Sequence, residues 1–116
     1  MTKITFFKRD GIFYGFKEEG HANYADIGDD ILCSALSAMT MLIVNAIEIS
    51  YATNVEYDID EESAKITVKV YGALPEYETD PMKRYAVSGL IQAYYYQLND
   101  MLEEYYDFIQ VDEINE

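Results

Sequence analysis

The feature that most constrains this chain is a nearly unbroken apolar run from Ile31 to Ile49. Ser34, Ser37, Thr40, Asn45 and Glu48 interrupt it, which argues against a membrane span, because a spanning helix rarely carries a Glu and an Asn without a bundle to hide them. With Asp29 and Asp30 as capping and first-turn acids, the run predicts a helix from about Asp30 to about Tyr51, roughly 31 Å long. A helix apolar nearly all round must be buried on most of its sides. A single sheet covers one side, so the remainder requires a second helix, a partner subunit, or both.

The flanking segments supply that sheet. Residues 3–17 are β-rich around Asp10-Gly11, a pair suited to the positive φ angles of a two-residue hairpin turn. In a second hairpin, Val55, Tyr57 and Ile59 alternate with polar residues, Asp60 to Ser63 turn the chain, and Ile66, Val68 and Val70 alternate again. Asp80-Pro81 then places a cap before a proline at the first helical position. From there Val87, Leu90, Ile91, Tyr94, Leu98, Met101, Leu102 and Tyr105 recur every three or four residues, predicting a helix to about Asp107. Residues 108–114 alternate weakly, as a short last strand would. The expected architecture is a single α+β domain over residues 1–116: a two-layer ββαββα fold with an antiparallel sheet from two hairpins and two long helices packed on it.

Composition narrows function. The 116 residues carry 22 acidic against 8 basic side chains, a net charge of −14. Such a surface repels a polyanion, so direct nucleic-acid binding is excluded and a basic partner is favoured. One cysteine, Cys33, and one histidine, His21, exclude an internal disulfide and a His/Cys zinc site, which needs four such ligands. No metal or cofactor is expected. The N-terminal apolar stretch is too short and too interrupted for a signal-peptide core, which predicts a cytoplasmic, reduced protein.

Those two unique residues lie twelve positions apart, His21 within the Gly-bounded segment Glu18 to Gly28 and Cys33 five residues beyond its end. Near the start of the predicted helix, unpaired backbone N–H groups and the positive dipole end favour a thiolate at Cys33, while Asp29 and Asp30 oppose it. A loop carrying His21 back over the helix start costs only about 2 kcal/mol to close, and imidazole is suited to taking a thiol proton near neutrality. Asp30 could orient that imidazole, and Ser37 stands one helical turn beyond Cys33. The same residues also have an ordinary reading, since a lone Cys in an apolar helix is more often a small core residue and paired glycines usually mark turns.

The stretch Gly20-His21-Ala22, with eleven residues between His21 and Cys33, together with Asp30-Ile31-Leu32-Cys33-Ser34-Ala35-Leu36-Ser37-Ala38, resembles the signature of the Prp family, the ribosomal-processing cysteine proteases. Leu32, Ser34 and Leu36 stand where that family more often has Val, Ala and Val. The resemblance implies a catalytic dyad of His21 and Cys33, supporting roles for Asp30 and Ser37, and a mobile loop bearing the His, for which residues 18–28, with Gly20, Ala22 and Gly28, are suited. It also implies a homodimer that removes an N-terminal extension from bacterial large-subunit ribosomal protein twenty-seven, cutting after two aromatic residues. The acidic charge suits so basic a substrate. The alternative is a non-catalytic acidic dimer that binds a basic ribosomal protein during ribosome assembly.

Overall fold

The computed structural model describes residues 1–20 and 27–116, and of residues 27–30 the backbone. Strand β1 (Thr2–Arg9) and strand β2 (Ile12–Glu19) form the first hairpin. Asp10 and Gly11 turn it with φ of 51° and 79°, as the sequence predicts. Helix α1 (Ile27–Asn45) follows and winds on through a wider π turn, Ala46–Ser50. Strands β3 (Glu56–Asp60) and β4 (Lys65–Lys69) make the second hairpin. Helix α2 (Pro81–Tyr105) begins where expected, with the Asp80 carboxylate accepting the Met82 N–H at 2.9 Å and Pro81 in the first turn. Strand β5 (Ile109–Asn115) ends the chain.

The five strands are ordered β3-β4-β2-β1-β5. Four pair antiparallel as expected, whereas β5 lies parallel to β1, with Thr2 opposite Ile109 and Lys8 opposite Asn115, so the sheet is mixed. The reason is the connection. A long helix between β4 and β5 returns the chain to the end of the sheet from which β4 started, so the next strand runs the same way as β4, and therefore as β1.

A bulge in β2 sets the core. Phe7 pairs with Gly15 and Lys8 with Phe13, which leaves Tyr14 as the extra residue and shifts the side-chain alternation by one. Phe13 and Phe16 consequently share the helix-facing side. There Phe6 meets Phe16 at 5.7 Å and Tyr94 of α2 at 5.8 Å between ring centroids. On the opposite face Phe7 and Tyr14 are also buried, covered by Tyr71, by the Arg9 guanidinium 5.2 Å from the Tyr14 ring, and by the Lys69 ammonium 5.0 Å from the Phe7 ring. The sequence pattern did not foresee this second, smaller aromatic cluster.

Helix α1 starts three residues earlier than expected, so Asp29 and Asp30 lie within its first turn and not before it. Ile31–Ser50 is long and apolar enough to cross a bilayer by length and composition. Its buried side is a single stripe of Leu32, Leu36, Thr40, Ile43, Val44 and Ile47, and the opposite side, with Ile31, Met41, Leu42 and Ile49, is exposed. Among the described residues nothing covers this face, which a nearly all-apolar helix is expected to bury.

Two glycines should respond oppositely to alanine. A Cβ at Gly15 would stand 2.4 Å from the Val68 carbonyl oxygen across the β2–β4 ladder, whereas one at Gly89, exposed on α2, meets no atom within 4 Å. Gly15→Ala should lower the unfolding free energy by about 3 kcal/mol, and Gly89→Ala should raise it by about 1 kcal/mol, both read from urea denaturation.

Candidate active site

Where β2 leaves the sheet, α1 and the tip of the β3–β4 hairpin close around a cleft of about 360 Å³. Cys33, Leu36 and Ser37 line it from α1, Glu18 and Gly20 from the end of β2, and Ile59, Asp60, Glu61 and Lys65 from the hairpin. Cys33 is a free, half-buried thiol, and Ser37, one turn on, is exposed. Gly20 occupies the left-handed region at φ 76° and gives its N–H to the Ala64 carbonyl at 3.2 Å, pinning the end of β2 to the hairpin tip. A Cβ at Gly20 would come within 2.9 Å of the Met1 carbonyl oxygen, so both the turn and the spacing demand glycine.

The cleft thus brings together Cys33, Ser37 and Gly20 of the residues singled out in the sequence. His21 and Ala22 lie outside the described residues, as does the side chain of Asp30. Gly28 belongs to the first turn of α1 and not to a loop. The early start of α1 also revises the electrostatic argument. Cys33 stands six residues beyond Ile27, roughly 9 Å along the axis. The unpaired amides of a helix start and the field they produce are confined to its first turn, so they do not act at Cys33.

Glu18 is the member that the sequence reading missed. It is 7 % exposed and lies between the sheet and both helices. The Thr40 hydroxyl of α1 donates to its Oε1 at 2.9 Å, and the Tyr94 hydroxyl of α2 donates to the same oxygen. Burial pushes the Glu18 carboxyl above the ordinary range, and the two hydroxyl donors only partly offset this. Burial, followed by the adjacent carboxylate, raises Tyr94 strongly, so its phenol remains a donor. The signal was available in the period of two: Ile4 pairs with Glu18 and Phe6 with Phe16, and those three apolar partners all face the helices.

At the rim the chemistry is reversed. Asp60 is held below the usual carboxylate range, first by the Ser63 hydroxyl and then by backbone N–H groups of Ser63 and Glu62 in the hairpin turn. With Glu61 it presents negative charge beside an apolar wall of Leu36, Ile59 and Ile66. The cleft suits an apolar segment of a positively charged chain.

The family model of the cysteine protease Prp matches residues 1–110. The chain belongs to the Prp family of cysteine proteases. It is 29% identical over 96 residues to the ribosomal processing cysteine protease Prp of Bacillus subtilis strain 168, spanning 83% of this chain and 81% of that protein. The Prp fold recurs in a crystal structure from Streptococcus mutans with a TM-score of 0.81 at 24% identity, covering 100% of this chain and 96% of the other. It also recurs in Staphylococcus aureus Prp. The complex of that protein with a substrate peptide has a TM-score of 0.78 at 19% identity, and the one with a covalently linked product peptide 0.76 at 21%, each covering 98% of this chain and 100% of the other.

Glu18 should leave a mark on stability. A carboxyl raised by burial contributes stability that is complete below its unfolded value and is lost as pH rises through its folded value. Relative to the parent, Glu18→Gln should therefore gain in melting temperature as pH rises from about 4 to 8. An unchanging difference across that range would refute the assignment.

Proposed function

We propose that this Prp protein is an endopeptidase that removes the N-terminal extension of bacterial large-subunit ribosomal protein twenty-seven, with Cys33 as nucleophile and His21 as its base. The observation that carries the reading is Cys33 itself. It is the single cysteine of a chain in a cysteine protease family, and it lines a cleft rather than the core. His21 takes the Sγ proton, the thiolate attacks the scissile carbonyl carbon, and the tetrahedral intermediate expels the leaving amine, which receives the proton from His21. Water activated by His21 then hydrolyses the thioester and frees the thiol. Asp30 orients the imidazole, and Ser37 supports the helix turn around the nucleophile.

Charge supports the substrate class. A net charge of −14, with Asp60 and Glu61 at the cleft, draws in a basic ribosomal protein and disfavours contact with RNA. The covalently linked product peptide on the Staphylococcus aureus relative supports a covalent route. The proposal includes a homodimer: Ile31, Met41, Leu42 and Ile49 form an exposed stripe at helical spacing on α1, and a second copy offers the same stripe in return.

Incubation with a peptide spanning the extension, followed by mass spectrometry, should give one new terminus after the aromatic pair. Cys33→Ala should lower the rate at least about a thousandfold. Cleavage by Cys33→Ala would sink the mechanism, and tight binding without cleavage by either protein would point to the acidic binding dimer. Leu42→Asp should weaken self-association at least about tenfold in sedimentation equilibrium, and a parent that sediments as a monomer would remove the dimer.

A further inference from the structure

We propose that Glu18 is a positioning residue for the site: through Thr40 and Tyr94 it sets the rotation and height of α1 against β2 and α2, and so aims Cys33 into the cleft. The inference deepens the reading of Cys33 as nucleophile and rests on it.

The geometry is that of a joint. One carboxylate oxygen on β2 receives a hydroxyl from α1 and a hydroxyl from α2, so a single atom ties three elements together. Cys33, Ser37 and Thr40 are spaced by four and then three residues, which places them along one side of α1. Seven residues separate Cys33 from Thr40, almost two full turns, so the two side chains leave the helix in nearly the same direction roughly 10 Å apart. The hydrogen-bonded helix between them moves as a rod, and a slide or roll of α1 at Thr40 becomes a slide or roll of the thiol.

Apolar packing alone does not fix that motion. Leu32, Leu36, Ile43, Val44 and Ile47 hold α1 against the layer beneath, but hydrophobic contact has no direction, and among the described residues no element buttresses the exposed opposite side. A hydrogen bond has direction and a narrow distance range. Among the described residues, the only other side-chain hydrogen bond between α1 and the sheet is the weak one from the Tyr57 hydroxyl to the Met41 sulfur at 3.6 Å.

Energetics agree with a positional role. A buried carboxylate is costly, and apolar side chains of the same volume commonly stabilise a core more. Here the costly group lines the same cleft as Cys33 and sits where it can fix one helix relative to two other elements. Small errors in placing a nucleophile are expensive, since about 1 Å can reduce turnover about a hundredfold.

The test compares variants that keep the joint with variants that open it. Thr40→Ser and Glu18→Gln preserve donor and acceptor, while Thr40→Val and Glu18→Leu remove them. Val87→Ala, in the core away from the cleft, serves as a control for loss of stability alone. Each is measured for cooperative melting, for the rate of Cys33 alkylation by iodoacetamide, and for kcat and KM on the extension peptide. Thr40→Ser and Glu18→Gln should stay within about threefold of the parent. Thr40→Val should fold yet shift the alkylation rate at least about tenfold and lower kcat about thirtyfold, with KM within about twofold. If Glu18→Leu does not fold, Thr40→Val decides.

A folded Thr40→Val that alkylates and turns over like the parent overturns the proposal, and so does a Val87→Ala control that changes both rates equally. Alkylation does not depend on peptide cleavage. A parent that cleaves no peptide would therefore refute the protease reading while the joint is still judged by the thiol.

Discussion

One buried carboxylate orders the relation between the two layers. Glu18 comes up from the sheet into a layer that is otherwise aromatic and aliphatic, and it is satisfied there by hydroxyls from both helices. Burying it without partners would cost several kcal/mol, so the packing that brings Thr40 and Tyr94 to the same oxygen is favoured over others. Polar satisfaction supplies the direction that hydrophobic burial lacks.

The surface for that joint is prepared by an irregularity in β2. If β2 ran through Tyr14 without a bulge, strict alternation would send Phe13 and Phe16 to opposite faces and break the aromatic layer beneath Tyr94 and Tyr95. The bulge keeps both rings inward and turns Tyr14 outward, where Tyr71, Arg9 and Lys69 cover the far side of the sheet. Gly15 completes the device, because only a residue without a side chain allows Val68 to approach so closely. A small domain in this way buries aromatic area on both faces of one sheet.

Charge and exposure divide the outer surface. The cleft has apolar walls and an acidic rim, while α1 turns an apolar stripe away from its own core. These features are spatially distinct: Cys33 lines the cleft, and the exposed stripe lies on the opposite side of α1. The chain belongs to the Prp family of cysteine proteases, and the geometry adds what surrounds its single cysteine.

Much of this was legible in the residues. Asp10-Gly11, Asp80-Pro81 and the period-two runs marked turns, caps and strands because these are local effects of φ preference, capping and pleat. The spacing of His21 and Cys33 pointed to the family for the same reason, since a motif is a local pattern. The start of α1 was misplaced because Asp29 and Asp30 suit a cap and a first helical turn equally well. The parallel pairing of β5 was out of reach, since it depends on where a long helix returns the chain. By sequence Glu18 opens the loop over residues 18–28, whereas the structure keeps it in β2. Its role exists only after β2 is in register, α1 is wound and α2 is laid across both, because hydrogen bonds between distant segments have no local signature. Local chemistry therefore determined which elements form and which family the motif resembles, and the tertiary structure alone decided that Glu18 joins the sheet to both helices, through contacts separated by 22 and 76 residues.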